Sequence, residues 1–119
     1  MSGTNEDLLQ QAADLAYEVA DGRKNFLLGC IAKRKDGAFV RSRNATMRDP
    51  TPEGHAEARV LKKAGYGAIL WIARVTRDGE WKMAKPCDKC QALIRNHGVK
   101  KVYYTIAPNE WGVWIPEKL

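Results

Sequence analysis

The spacing of apolar residues predicts an amphipathic helix near the start of the chain. Apolar side chains recur every three or four positions, at Leu8, Ala12, Leu15 and Val19, with Leu9, Ala16 and Ala20 beside them. Thr4 supplies a capping hydroxyl before the acidic residues that follow it, and Gly22 is a suitable end. We expect this helix to pack against the core without a catalytic role.

A hairpin follows the helix. Residues 26–32 are a continuous apolar run, which is typical of a strand buried on both faces, and Asp36-Gly37 is a strong tight-turn signal. Residues 38–44 then alternate, which predicts that one face carries Phe39, Arg41 and Arg43 and the other face carries Val40, Ser42 and Asn44. We expect Cys30, inside the first strand, to be a core residue.

The remaining pattern predicts a parallel crossover and an antiparallel end. A polar segment, 45–53, precedes a helix that ends at Gly65; then come a third strand at 68–75, a turn at 77–80, a helix at 87–96 and a fourth strand at 101–105. A strand, a helix and a strand favour parallel pairing. Too few residues separate 101–105 from 111–115 for another crossover, so the last strand must be antiparallel.

Composition bounds the class of protein. A chain of 119 residues has room for one core, so we expect a single domain over residues 1–119. No apolar run is long enough for a membrane helix, and the polar, acidic start has no signal-peptide pattern, which predicts a soluble, cytoplasmic protein without membrane partners. The net charge of +6 favours phosphate-bearing partners, although an ordinary basic surface explains it equally well.

Two short motifs carry the candidate chemistry. His55-Ala56-Glu57 at one predicted helix start and Pro86-Cys87-Asp88-Lys89-Cys90 at another spell H-x-E … P-C-x-x-C. Three cysteines do not make a disulfide framework, and such a pair in a reducing compartment is more typical of a metal site.

A catalytic zinc ion takes three protein ligands, and the sequence offers His55, Cys87 and Cys90. The positive helix end and the metal are both expected to favour thiolates at the two cysteines. A structural zinc site needs a fourth ligand. The candidate is His97, the second of the two histidines in the sequence. We predict the catalytic alternative, with Zn²⁺ as the cofactor.

Glu57 is placed to move protons. Two residues from His55, it cannot share the same metal bond but can reach a water in the fourth position, so we assign it as the general acid and base. The alternative role is a charge partner of the helix dipole. Water attack at C4 of cytosine or C6 of adenine would then expel ammonia.

The motifs, in this order, resemble the cytidine deaminase-like superfamily over nearly the whole chain. The resemblance implies a three-layer α/β/α fold with a mixed five-stranded sheet. It also implies His55, Cys87 and Cys90 as zinc ligands and Glu57 as the catalytic acid and base. Free cytidine deaminases usually have cysteine where His55 stands, so no single sub-family pattern is matched throughout.

The segment Arg43-Asn44-Ala45-Thr46 is similar to the E-N-A-S of free cytidine deaminases, and this similarity favours cytosine over adenine. In that family the asparagine and the preceding glutamate contact the ribose, but Arg43 replaces the glutamate here. A guanidinium suits a phosphate, so we expect a cytosine nucleotide or nucleoside as substrate. The alternative is that Arg41 and Arg43 face solvent. The predicted substrate-binding residues are Asn44, Arg43, Ala56 and Pro86.

A rival hypothesis is a deaminase acting on single-stranded DNA or RNA. The basic residues are Lys33, Arg34, Lys35, Arg41, Arg43 and Arg48, and the candidate stacking platforms are Trp81, Trp111 and Trp114. We favour a solvated hairpin tip for residues 33–35, and core or subunit-interface positions for the tryptophans. A third class, a non-catalytic domain, is disfavoured by the complete motif set. The apolar residues near the end lead us to expect a homo-oligomer.

Overall fold

A mixed β-sheet with helices on both faces forms the described part of the chain, in this computed structural model, which describes residues 4–17, 27–43, 56–76 and 78–116. The helices are α1 (Asn5–Tyr17), α2 (Ala56–Ala64) and α3 (Asp88–Asn96). The strands are β1 (Leu27–Lys33), β2 (Phe39–Arg43), β3 (Ile69–Val75), β4 (Trp81–Lys82), β5 (Lys101–Ala107) and β6 (Glu110–Trp114). Among these residues, no helix is long and apolar enough to cross a membrane.

The strand order is β2-β1-β3-β5-β6, with β4 paired to the far end of β3. The β3 and β5 strands pair in parallel, as the strand–helix–strand pattern predicts, and β6 returns antiparallel to β5. The predicted α/β fold class is therefore confirmed. The sheet has six strands where five were expected, because Trp81 and Lys82 pair with Val75 and Arg74 instead of forming a free segment.

Alternation along the strands divides the core into two layers. On one face α1 packs over alternate residues of β1 and β3, which are Leu27, Ile31, Trp71, Ala73 and Val75. On the other face α2 and α3 pack over Leu28, Cys30, Ala32, Leu70 and Ile72. Cys30 is fully buried, as expected for a core residue.

The first helix begins where the capping residue predicts. The Asp7 backbone N–H donates to Thr4 Oγ1 at 3.0 Å, which satisfies one of the free donors of the first helical turn. The predicted end of the helix, at Gly22, lies outside the described residues. The inner side of the helix uses small residues, Ala12 and Ala16, so its backbone can approach β1 closely.

Gly29 is the point of closest approach between α1 and β1. A Cβ atom at this position would overlap the backbone carbonyl of Ala12 and lie 3.0 Å from the backbone nitrogen of Ala16. Backbone atoms cannot turn aside as a flexible side chain can. The helix can therefore seat on the sheet only over a residue without a side chain.

We predict that Gly29→Ala destabilises the protein by about 3 kcal/mol, because the overlap forces α1 away from the sheet. Urea unfolding measures the free energy directly. The control is Gly37→Ala in the exposed β1–β2 turn, where φ is +92° and a Cβ would meet nothing within 4 Å. Backbone strain alone should cost about 1–2 kcal/mol there. Equal losses in the two variants would contradict the close-packing argument.

Candidate active site

The start of α3 presents two cysteines. Cys87 is the N-cap residue, with extended backbone angles, and its side chain makes no capping hydrogen bond. Cys90, in the first turn, is completely buried, whereas Cys87 is exposed. The backbone oxygen of Cys87 accepts from Gln91 N at 2.8 Å, and the side-chain amide of Gln91 donates to the Pro86 oxygen at 2.8 Å. The turn that carries both thiols is therefore held by one bond from the main chain of Gln91 and one from its side chain.

Thr105 fixes the segment that leads into this turn. Its side chain is fully buried, and Oγ1 donates to the Lys82 oxygen at 2.7 Å while accepting from Arg74 N at 3.2 Å. The Thr105 backbone oxygen also accepts from Ala84 N at 2.9 Å. These bonds tie residues 82–84 to both β3 and β5. The sequence gives no signal for this role, because threonine is an ordinary residue in a β-strand.

The helix that carries Glu57 is fastened to the edge strand. Arg59 Nε donates to Ser42 Oγ at 3.4 Å, and Lys63 Nζ donates to the Arg41 backbone oxygen at 2.8 Å. Both bonds run from α2 to β2. They hold the first turn of α2 over the sheet on the same face as α3.

Glu57 is a buried acid. Its side chain is 3% exposed, and Oε1 has no hydrogen-bond partner among the described residues. Burial raises the pKa of Glu57 from 4.5 to about 7, because the charged carboxylate loses its hydration. Burying such a carboxyl costs folding free energy, and buried groups with a shifted pKa are typical of functional sites.

Three side chains from three elements meet at this point. Burial, then the Glu57 carboxylate, then Cys90 raise the pKa of the Cys30 thiol. Burial, the Glu57 carboxylate and a hydrogen bond with Cys87 raise the pKa of Cys90 well above its usual range. In the metal-free protein these surroundings favour the protonated thiol at Cys90, and the expected thiolates of the metal-bound protein stay a prediction.

The other predicted site residues divide into two groups. His55 and Asn44 lie outside the described residues, as does Arg48. Ala56 is the first residue of α2, and Pro86 is buried next to Cys87.

Arg43 lies on the opposite face of the sheet from Glu57. It is the last residue of β2 and pairs with Gly29, whose missing side chain would point into α1, so Arg43 projects from the α1 face and is exposed. Arg43 can therefore contact a ligand bound at Glu57 only if the ligand or the Arg43 side chain extends around the end of β2. Arg41, two residues earlier, is exposed on the same face.

The donor set fits zinc bound in a catalytic rather than a structural site. Two thiols at the start of α3 and a buried carboxyl beside them suit a divalent cation, and His55 directly precedes the first residue of α2 in the sequence. The described residues alone hold no group of three metal-ligating side chains. His97 is at the far end of α3, with Nδ1 2.9 Å from the Leu93 oxygen, so it cannot complete a four-ligand site.

The tryptophans do not form an open stacking platform. Trp81 and Trp111 are half-buried against the core under α1, and Trp114 is half-buried against the core under α2 and α3. The expectation that these tryptophans pack against the core is therefore confirmed. By contrast, Val113 and Ile115 are exposed, and the expected homo-oligomer stays a prediction.

The fold and the two helix starts define an α/β protein with a buried acid beside two cysteines. A family model described as the cytidine and deoxycytidylate deaminase zinc-binding region matches residues 2–106. The chain belongs to this family. A search of curated proteins found no match.

Solved structures share the fold. The chain is similar to cytidine deaminase from Burkholderia pseudomallei, with 18% identity, a TM-score of 0.66 and coverage of 98% of this chain and 100% of that one. It is also similar to the enzyme from Mycobacterium leprae, with 18% identity, a TM-score of 0.60 and 94% coverage of each chain. A deoxycytidylate (dCMP) deaminase from cyanophage S-TIM5 has 23% identity and a TM-score of 0.55, covering 84% and 80%.

The buried carboxyl predicts a pH-dependent penalty in the metal-free protein. Because the folded-state pKa of Glu57 is raised from 4.5 to about 7, the folded chain binds this proton more tightly than the unfolded chain. The contribution of Glu57 to stability is therefore greatest below pH 4.5, falls between pH 4.5 and about 7, and is lower by about 3 kcal/mol above that range. Glu57→Gln removes the ionisation, so the chelated variant should be the more stable protein at pH 8 and equal to wild type at pH 4.

Urea unfolding at several pH values after metal chelation measures this difference. The control is Glu110→Gln at an exposed position, which should leave the pH profile unchanged. Parallel profiles for wild type and Glu57→Gln would show that the Glu57 carboxyl is not desolvated.

Proposed function

We propose that this protein is a zinc-dependent deaminase that converts the cytosine base of a nucleotide or nucleoside to uracil and releases ammonia. In this reaction, a water oxygen bonds to C4, the bond from C4 to the amino nitrogen breaks, and ring nitrogen N3 and the leaving amine each receive a proton. The observation that carries the proposal is the buried Glu57 carboxyl beside the two thiols of α3, whose Oε1 has no hydrogen-bond partner among the described residues.

Each residue of the site has a distinct part. His55, Cys87 and Cys90 would hold zinc, which supplies, when bound, a positive centre that makes water nucleophilic near neutral pH. The Glu57 carboxyl accepts one proton from the attacking water and donates it to N3 of the ring. It then accepts the second proton of the same water, from the oxygen now bonded to C4, and donates it to the leaving amine. The buried surroundings of Glu57 exclude bulk water, so the proton stays within the site.

The choice of cytosine rests on family membership and on the segment around Asn44. The family model covers cytidine and deoxycytidylate deaminases, which include nucleoside and nucleotide chemistry. Arg43 at the end of β2 favours the nucleotide, provided that the substrate extends past the end of the strand. A polynucleotide substrate is the alternative, and the half-buried tryptophans remove the stacking surface that favoured it.

We predict that Glu57→Gln abolishes turnover while zinc stays bound. Loss of the only proposed proton carrier should lower kcat at least about 10³-fold. Release of ammonia and formation of the uracil-containing product are measured with cytidine, deoxycytidine, their 5′-monophosphates and a cytosine-containing single strand, and zinc is measured by metal analysis. Activity that survives in Glu57→Gln would contradict the assigned role.

The zinc ligands are tested by the same metal analysis. Cys90→Ser should lose zinc and activity together, because it removes one of three ligands. The control is Cys30→Ala, which removes the neighbouring core thiol and should retain one zinc per chain. Equal loss of zinc from both variants would show that the ligand set is wrongly assigned.

The nucleotide preference generates a separate prediction. If Arg43 contacts the 5′-phosphate, Arg43→Ala should raise KM for dCMP at least about ten-fold, because a charge-assisted hydrogen bond is lost. KM for deoxycytidine should not change. Arg41→Ala is the matched control, since Arg41 shares the strand and the face but lies further from the strand end. A wild-type protein that prefers deoxycytidine to dCMP would contradict the hypothesis.

A further inference from the structure

The end of the sheet away from Glu57 carries a dense positive charge. We call it the basic end; it consists of the tip of the β1–β2 hairpin, the last turns of α2 and α3, and the chain leading into β5. Its cationic residues are Lys33, Arg34, Lys35, Lys62, Lys63, Arg95, Lys100 and Lys101. Among the described residues of this end, Asp36 is the one carboxylate, and it lies 3.5 Å from Arg34.

The helix dipoles explain only part of this charge. The C-termini of α2 and α3 each carry about half a negative charge, which the lysines in the last turn of α2 and Arg95 in the last turn of α3 offset. Arg34 also has a local partner, because Nη1 donates to the Lys63 oxygen at 3.2 Å. Most of the eight cations remain uncompensated, so the basic end attracts polyanions.

A cavity of about 370 Å³ opens in the basic end. Three cations line it: Lys35, Arg95 and Lys100. Gly67 and Gly98, with φ of +83° and +62°, form part of its wall. The carboxylate of Asp36 is not among the lining residues.

Tyr66 gives the cavity an aromatic surface. Its ring lies directly on Gly98, where any side chain would overlap it, and yet Tyr66 is 63% exposed. A supported ring with an open side, next to cations, suits the stacking of a nucleic-acid base. Arg95 is held in place because its guanidinium lies 5.3 Å from the centre of the Trp114 ring.

We propose that the basic end binds single-stranded nucleic acid, with a base stacked on Tyr66 and phosphates held by Lys35, Arg95 and Lys100. A free mononucleotide would fill the cavity but leave the lysines outside it unused. A duplex keeps its bases stacked internally and has none to offer to Tyr66. The five-strand edge is about 19 Å wide, which leaves room for several phosphates.

This surface is separate from the candidate active site. Glu57 lies in the first turn of α2 and Lys63 in the last, and a nine-residue helix is about 13 Å long. A nucleic-acid strand bound at the basic end therefore does not occupy the site around Glu57. The proposal therefore does not rest on the deaminase function and is tested by binding alone.

Fluorescence anisotropy with a labelled oligothymidylate provides the test, because a strand without cytosine is not a substrate. If about four phosphates are neutralised, the logarithm of the association constant should fall with the logarithm of salt concentration with a slope of about −3. Lys100→Glu should weaken binding about ten-fold and make the slope shallower by about one unit. Tyr66→Ala should weaken binding about ten-fold without changing the slope, because stacking releases no counterions.

Lys82→Glu is the matched control. It makes the same change in net charge at an exposed lysine of β4, at the other end of the sheet, and should weaken binding less than about two-fold. Lys35→Glu is a second test variant on the exposed hairpin tip and should act like Lys100→Glu. Thermal unfolding confirms that each variant is folded.

Four results would overturn the proposal. These are an absence of binding at low salt, equal weakening by Lys82→Glu and Lys100→Glu, equal affinity for a duplex, and equal affinity for free thymidine monophosphate. The second result would mean attraction by net charge alone. The fourth would mean a mononucleotide pocket.

Discussion

The burial of the Glu57 carboxyl is the constraint on which the site depends. The carboxyl is removed from water with one oxygen unsatisfied among the described residues, and burial shifts its pKa upward despite a backbone hydrogen bond that lowers it. The penalty of a few kcal/mol is a large part of the 5–15 kcal/mol that stabilises a typical domain. The packing of two apolar layers and the close contact of α1 with Gly29 stabilise the fold and offset this penalty.

Most of the fold could be predicted from local patterns. The continuous apolar run of β1 and the alternation of β2 define a central strand and an edge strand, and the short connection before β6 leaves only antiparallel pairing. The β4 strand could not be predicted, because two residues carry no periodicity. It forms because the buried hydroxyl of Thr105 bonds to Lys82 and Arg74, a tertiary contact that no local pattern records.

The candidate site could be predicted in its residue types but not in its electrostatics. Motif spacing is sufficient to place Cys87 and Cys90 on one helical turn and Glu57 in the first turn of another helix. The sequence indicates a helix start beside the two cysteines, and the structure adds the burial and the Glu57 carboxylate that raise the pKa of Cys90 in the metal-free protein. The sign of a pKa shift depends on how deeply the group is buried, and burial depends on the assembled layers.

The two ends of α2 carry opposite charges in different surroundings. The first turn places an acid in a dry interior, where a proton can be transferred without exchange with solvent, and the last turn places Lys62 and Lys63 in an exposed positive field. The sequence shows the positive excess but not its position, because the eight cations come from four separate segments. Tyr66 gave no signal either, since a lone aromatic between a helix and a glycine is usually a packing residue. Only the left-handed Gly98 beneath its ring makes it a surface on which a base can stack.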